Sequence, residues 1–479
     1  MTDHRADRQQ RSTAAALRHA GLTVDELWLR YFALGGDLGL IEVDAYVHGL
    51  GGLPPLQRDV LAHAVNERLD ELAPPDRADY SWPIGPNEPR ERSLDALVKL
   101  LEGAELAPPD RLPLLIDAAG RSLGVRITPY LADHQQRLLH PWPAVQDGRE
   151  PLGLDTTPAG LAFRQVRVVP VPEHPRLWVP LLDGVERLGV LDVEVDDPLT
   201  LRDPGLRTQC RWLSMLLGHL VTLLTRYGDA ADLIRLPAPR TVPGELTWSL
   251  LPPLTAGVDG FVLTGAVEPG ERVSGDTFDY ALSETTATLV VLDADGHDLR
   301  AGLITATAVA AHRSARHAGL DLIGQARAID EAIRGQFGPG ASATATLVEV
   351  DLATGRLCYL NAGHPRPVIV RSSGGVEPLT AGQAPPLGSG LGEPTPAREA
   401  LAPDDWLVLH TDGITDVLGD PSAHARLAEF LRREAAEGHP PPETARQLLR
   451  ALRPRRDGGP REAAAVLLAR WTDPRALLP

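Results

Sequence analysis

The chain has 479 residues, 43% hydrophobic and 23% charged, a globular composition with length for about three domains. Its 47 basic residues face 64 acidic ones, a net charge of −17, which argues against nucleic acid and anionic membrane as partners because their phosphates would be repelled. Two cysteines, Cys210 and Cys358, rule out a disulfide scaffold or a cysteine zinc cluster, and the single lysine, Lys99, lies in neither a Gly-Lys-Ser/Thr loop nor a kinase strand behind a Gly-rich loop. The stretch from Met1 to Arg11 is polar, and the most apolar run, Cys210 to Tyr227, is broken by Arg211, His219 and Arg226. The expectation is a cytoplasmic protein with no membrane segment.

In chain order, residues 12–72 read as helices, with Leu56, Val60, Leu61, Val65, Leu69 and Leu72 as a one-sided stripe. Ala73 to Arg92 holds five prolines and reads as a linker. Residues 94–227 read as a mixed α/β unit. Leu112 to Leu123 is a helix stopped by Gly124 and Val125 to Leu131 is a strand. Leu177 to Leu182 and Leu188 to Val195 form a hairpin with a loop longer than two residues, and Leu206 to Tyr227 is a closing amphipathic helix. A Pro-rich break spans Leu236 to Gly244. Beyond it come short strands: Phe261 to Gly265, Asp279 to Leu282, Thr288 to Leu292, Ala343 to Asp351, Arg356 to Leu360, Pro367 to Val370, Trp406 to His410 and Ala464 to Ala469. Helices Leu299 to His317 and Leu320 to Phe337 lie between them. Hairpins with inserted helices predict two stacked antiparallel sheets flanked by helices.

The chemistry lies in four acids. Asp276 and Asp293 flank two strands around the turn Ser283-Glu284-Thr285, so a hairpin would bring both carboxylates to its open end, ~5 Å apart. Asp412 follows one apolar strand and Glu462 precedes another, so antiparallel neighbours would place all four on one rim. Clustered carboxylates repel unless a cation joins them, and oxygen-only donors favour Mg²⁺ or Mn²⁺. Strand-end Asp and Asp-Gly pairs also serve simply as turn residues.

At these residues the sequence resembles a known family. Val273-Ser274-Gly275-Asp276, Asp293-Ala294-Asp295-Gly296-His297, Asn361-Ala362-Gly363-His364-Pro365, Pro385-Pro386-Leu387-Gly388 and Thr411-Asp412-Gly413 follow the order of a bacterial type 2C serine/threonine protein phosphatase of the sporulation-protein IIE branch. The resemblance implies an αββα sandwich and two Mn²⁺ or Mg²⁺ ions activating a water. It implies that Asp293 bridges both ions, that Asp276 and the Ala294 carbonyl hold one, and that Asp412 and Glu462 hold the other. Asn361, Gly363 and His364 are then site-loop architecture and not ligands. The chain departs from the family at Glu462-Ala463-Ala464-Ala465, where Asp-Asp-x-Thr is usual, and at Asp295 and Asp298.

The middle unit resembles a GAF sensory domain, chiefly at Trp178-Val179-Pro180-Leu181-Leu182 and Leu188-Gly189-Val190-Leu191. The organisation expected is an α/β multidomain chain. It comprises a helical N-terminal region with its linker (1–93), a GAF-like domain (94–227), a linker-helix region (228–252) and the phosphatase domain (253–472). The resemblance implies as partner a phosphorylated regulator such as a STAS anti-anti-sigma factor. A small-molecule ligand of the GAF-like domain and a homodimer through the Leu206 to Tyr227 helix are further expectations. A degenerate, non-catalytic phosphoprotein-binding module is the alternative that Glu462 and Ala463 favour.

Three literal motifs carry less. Asp293-Ala294-Asp295-Gly296 also looks like a haloacid dehalogenase start, whose usual downstream lysine is missing. As a calcium loop it would place Ile304 where a glutamate is required. Gly120-Arg121-Ser122-Leu123-Gly124 reads helix-then-strand, the reverse of a nucleophile elbow. His297, like His364, reads as a hydrogen-bonded loop residue.

Overall fold

The computed structural model describes residues 4–71, 89–145, 148–236, 238–268, 275–296, 298–414, 423–452 and 463–472. The chain divides into two units, Met1–Ile84 and Gly85–Pro479.

The first unit packs four helices, α1 (His4–His19), α2 (Val24–Ala33), α3 (Leu40–Val47) and α4 (Pro55–Glu71), around Leu27, Tyr31, Val43, Leu61 and Val65. Thr23 and Glu26 close a reciprocal capping box at the start of α2. The stripe read on α4 is narrower than its sequence suggests: Leu61 and Val65 are fully buried, whereas Leu56 in the first turn is 70% exposed. Leu72 lies outside the described residues, as does the proline run up to Glu88. The remainder of the expected linker is different. Pro89 to Arg92 open α5 (Pro89–Ala104), since proline at a helix start gives up only an N–H that has no intrahelical partner.

In the second unit, α5 and α6 (Leu112–Leu123) precede a six-stranded antiparallel sheet. Its strands are β1 (Arg126–Ala132), β2 (Leu138–Pro141), β3 (Leu152–Gly153), β4 (Val169–Val171), β5 (Arg176–Asp183) and β6 (Glu186–Glu194), in the order β3-β2-β1-β6-β5-β4. Gly124 ends α6 in the left-handed conformation, φ 75°. The β5–β6 loop is tighter than expected: Asp183 pairs with Glu186, and only Gly184 and Val185 turn the chain. One sheet face packs on α5, α6 and the long helix α8 (Pro204–Thr225). The other is closed by α7 (Pro158–Gln165), with Tyr130, Phe163 and Trp178 filling it. Two short helices, α9 (Ala230–Arg235) and α10 (Val242–Leu250), lead onward.

The rest of the unit is built on two sheets. In the first, β9 (Asp276–Leu282), β10 (Thr286–Ala294), β11 (Ala343–Asp351), β12 (Arg356–Ala362) and β15 (Gln383–Ala384) run in the order β15-β12-β11-β10-β9, with β16 (Ala397–Ala400) also on β12. In the second, β7 (Thr255–Val258), β8 (Phe261–Glu268), β13 (Val368–Val370), β14 (Val376–Pro378), β17 (Trp406–His410) and β18 (Ala464–Trp471) run β14-β13-β17-β18-β8-β7. One core draws side chains from both sheets, including Phe278, Leu289, Val291, Val348, Leu407 and Leu467. A second joins the first sheet to α11 (Leu299–His317) and α12 (Leu322–Phe337), and a third joins the second sheet to α13 (Ala423–Ala436) and α14 (Pro441–Leu452). Strands covered on both faces need continuous apolar runs, which is why β10 reads Leu289-Val290-Val291-Leu292 without polar alternation.

The sheets approach closely at one point. A Cβ at Gly265 of β8 would lie 2.1 Å from the Phe278 ring of β9, two residues from Asp276. Gly265→Ala is expected to lower the unfolding free energy in urea by about 1–3 kcal/mol through overpacking. An unchanged midpoint would mean that the ring is not held there.

Candidate metal centre

Alternation along the strands decides which side chains reach the site. On β10, Leu289 and Val291 face the inter-sheet core while Val290, Leu292 and Ala294 face the helices, so Asp293 points between the sheets. Phe278 and Tyr280 put Asp276 on that same face of β9. The hairpin register pairs Asp276 directly with Asp293, as the spacing around the turn requires. On the second sheet Leu407 and Leu409 face the same core, so Thr411, just past the end of β17, continues that face. The site therefore lies where the inter-sheet core gives out and polar residues take over its positions.

Asp276 is 5% exposed. Burial raises its carboxyl well above the ordinary aspartate value, and the neighbouring carboxylates of Asp293 and Asp412 raise it further. Against them stands the Thr411 hydroxyl, which donates to Asp276 Oδ2 at 2.7 Å. That hydroxyl also accepts the Ala465 N–H at 2.9 Å, fastening the first strand of one sheet to β17 and β18 of the other. Glycines keep the space clear. A Cβ at Gly275 would lie 2.6 Å from the Ala294 carbonyl oxygen and 3.2 Å from Asp293 Oδ1, and one at Gly413 would lie 1.9 Å from the Ala463 carbonyl. Thr305 of α11 donates to the Gly275 carbonyl at 2.7 Å.

Surrounding loops are tied to the same point. Thr344, the β11 partner of Asp293, bonds His364 Nδ1 at 2.8 Å. Asn361 Oδ1 accepts the His364 N–H at 2.9 Å and Asn361 Nδ2 donates to the Pro365 carbonyl at 3.1 Å. Gly363 turns the loop at φ 69° against Pro386. Burial lowers the His364 imidazole to about 3, with His410 beside it, so the ring is neutral. Leu387 exchanges two 2.9 Å backbone bonds with Ala343, and Asp330 of α12 accepts from the Gly388 and Gly390 N–H groups at 2.8 and 3.0 Å. Behind Asp276 on β9, Asp279 is buried among His312, Arg313 and Arg316. Arg313 Nη2 reaches Asp279 at 2.7 Å and the Leu250 carbonyl of α10 at 2.6 Å.

Of the residues singled out in the sequence, the structure pairs Asp276 with Asp293 and places the Asp412 charge near enough to act on Asp276, with the Ala294 carbonyl beside Gly275 and with Asn361, Gly363 and His364 as a supporting loop. Glu462 and His297 lie outside the described residues. Asp298 caps α11, accepting the Ala301 N–H at 3.0 Å, and Asp295 is exposed. Ala465 is buried in the inter-sheet core. Sequence reasoning used Thr411 only as part of a motif and gave no part to Thr305, Thr344, Asp330 or Asp279. Asp330 does have a signal, an acid on the face of α12 that also carries Ala326, Ile329 and Ile333. The donors at the acidic cluster are all oxygen, which fits a hard divalent cation.

Residues 283–472 match the family model of stage II sporulation protein E (SpoIIE). Over 167 residues, 34% of the chain, the sequence is 28% identical to phosphoserine phosphatase RsbP of Bacillus subtilis (strain 168), spanning 40% of that protein. Among solved structures, the RsbU and RsbW domains of Rv1364c from Mycobacterium tuberculosis align with a TM-score of 0.40 and 26% identity, over 44% of this chain and 61% of that one. The catalytic domain of the serine/threonine protein phosphatase PstP in complex with two manganese ions aligns with a TM-score of 0.34 and 21% identity, over 44% of this chain and all of that one. The chain thus spans less than two thirds of RsbP and of the mycobacterial protein. Among the described residues no helix is long and apolar enough to cross a membrane.

The crowding at Asp276 has a measurable sign. A buried acid whose folded value exceeds its unfolded one binds more protons when folded, so stability falls as pH rises between the two. In EDTA, the wild-type chain should therefore lose stability relative to Asp276→Asn as pH rises from 4, leaving the variant more stable at neutral pH by on the order of 1 kcal/mol. Identical slopes would show that the carboxylates do not repel.

Proposed function

From the SpoIIE-family domain at residues 283–472, we propose that this protein is a metal-dependent serine/threonine phosphoprotein phosphatase with the αββα arrangement. The observation that carries the reading is the direct pairing of Asp276 with Asp293 across β9 and β10 at the open end of the inter-sheet core, with the Asp412 charge near enough to raise the Asp276 carboxyl. Asp293 is assigned between two Mn²⁺ or Mg²⁺ ions, Asp276 and the Ala294 carbonyl to one, Asp412 and Glu462 to the other. When bound, such ions supply an acidified water and positive charge for a phosphoryl group. The chain's part is positioning. Thr411 fixes the Asp276 carboxylate, Gly275 and Gly413 leave room, and the His364 loop and Asp330 brace the walls. Because the chain itself is anionic, affinity for a phosphate must come from those ions.

The substrate is assigned as phosphoserine or phosphothreonine on a partner protein, a STAS anti-anti-sigma regulator being the candidate of choice; the name of RsbP, a phosphoserine phosphatase, supports the residue type. Sensory control by the GAF-like unit is supported by three contacts. Arg313 joins the end of α10 to Asp279, three residues from Asp276. Arg187 of β6 pairs with Glu443 of α14 at 3.3 Å, both 3% exposed, with its guanidinium 4.6 Å over the Phe163 ring. Arg446, one turn on, reaches Asp155 of the sensor at 2.7 Å. A cytoplasmic dimer is part of the proposal. Helix α8 buries Leu213, Leu217 and Leu220 but leaves Trp212, Met215 and Leu223 exposed, and α5 likewise exposes Leu94, Val98 and Leu101.

Hydrolysis of a phosphoserine peptide across a Mn²⁺ titration tests the activity. Turnover should require the metal and fall at least about a hundredfold in Asp293→Ala and in Asp412→Ala. A folded protein with no turnover at millimolar Mn²⁺ would instead support the phosphoprotein-binding reading that Glu462-Ala463 favours. For assembly, light scattering should give a dimer that Trp212→Glu with Leu223→Glu converts to monomer; a wild-type monomer would remove the dimer from the proposal.

A further inference from the structure

A cavity of about 250 Å³ opens where the β5–β6 hairpin, the end of α8, α9, α10 and the turn at Leu251 to Leu254 meet. Its apolar wall includes Leu188, Val221 and Trp248. Trp248 is held in place, with its ring edge-on to His134 at 4.6 Å and Arg240 stacked over it at 4.2 Å.

The polar wall is rich in acceptors. Glu186 accepts the Thr255 backbone N–H, and burial pushes its carboxyl up to about 7 even with Arg235 nearby. Arg235 does not belong to Glu186 alone. Its Nε donates to the Ala132 carbonyl at 2.9 Å, and it also faces Asp232 and Asp133. His134, its side chain only 8% exposed, meets Asp232 through Nε2 at 3.3 Å, while its buried Nδ1 has no hydrogen-bond partner. With the Nε2 proton directed at the carboxylate, Nδ1 presents a lone pair. Asp183, also on the wall, is paired with His219. Arg235 and Arg240 both stand beside this wall, and Asp183 and Asp232 are each paired with a histidine. The Glu186 carboxylate and the nearby Nδ1 lone pair are the acceptors that call for a guest bringing N–H donors.

We propose that this junction cavity binds a small organic cation, an amine carrying an apolar body, with the ammonium at Glu186 and the body against Leu188, Val221 and Trp248. Such a guest touches both the sensor hairpin and α10, whose terminal carbonyl at Leu250 is held by Arg313. Occupancy would then be felt along the route to β9.

Calorimetric titration of the full chain with 2-phenylethylamine tests this, with 2-phenylethanol and 3-phenylpropanoate as neutral and anionic comparators of similar shape. One amine should bind per chain, at least about tenfold tighter than the alcohol, and the carboxylate should not bind. Glu186→Gln keeps an acceptor for the Thr255 N–H and should weaken the amine by at least about tenfold while leaving the alcohol unchanged. Val221→Phe fills the space and should abolish binding of both, with melting temperatures of each variant confirming the fold. The proposal is overturned by equal affinity for alcohol and amine, by preference for the carboxylate, by indifference to Glu186→Gln, or by no binding at millimolar amine. Binding is read without turnover, so its failure leaves the phosphatase reading standing, and loss of turnover does not touch it.

Discussion

The constraint on which the rest depends is the two-residue period of strands that are covered on both faces. Each strand of the paired sheets must supply one apolar series to the inter-sheet core and another to the helices. Asp276, Asp293 and Asn361 stand in the first series at places where the apolar pattern stops, and Thr411 extends it just past β17. They face the space between the sheets because Phe278, Val291, Tyr359 and Leu409, each two residues away on the same strand, already do. A one-residue slip in any of these strands would turn its polar residue into the helix-facing core and leave the site without it.

How much of this could be read in advance follows from whether the determining contacts are local. The Asp276–Asp293 pairing needed only the turn at Ser283 and a count of residues on either side. The helix stop at Gly124 needed only a left-handed residue. What escaped was set by partners distant in sequence. Thr411 matters through Asp276 and Ala465, and Asp279 through Arg313 and α10. The two-residue β5–β6 turn was missed because Asp183 and Glu186 are polar and read as loop, yet they pair as the last rung of the hairpin. Leu56 misled for the opposite reason: an apolar residue in the first turn of a helix fits the periodic pattern without having anything to cover it.

Charge is handled differently at the two buried acidic sites. At Asp279 the carboxylate is surrounded by Arg313, Arg316 and His312, and its value is held below the ordinary one. At Asp276 the neighbours are carboxylates and one hydroxyl, and the value is driven up. Both lie on β9, three residues apart. The first is a satisfied anchor between the strand, α11 and the end of α10. The second carries electrostatic cost that a bound cation would relieve.

The Thr411 hydroxyl has a consequence for where a proton can go. It accepts from the Ala465 N–H at 2.9 Å, and its own hydrogen is directed at Asp276 Oδ2, 2.7 Å away, in preference to the Ala465 carbonyl at 3.5 Å. With Oδ2 taken by that hydrogen, a proton gained by this carboxyl goes preferentially to Oδ1. Protonation removes the charge that a cation would need from this residue, so acid and metal would compete for the same carboxyl.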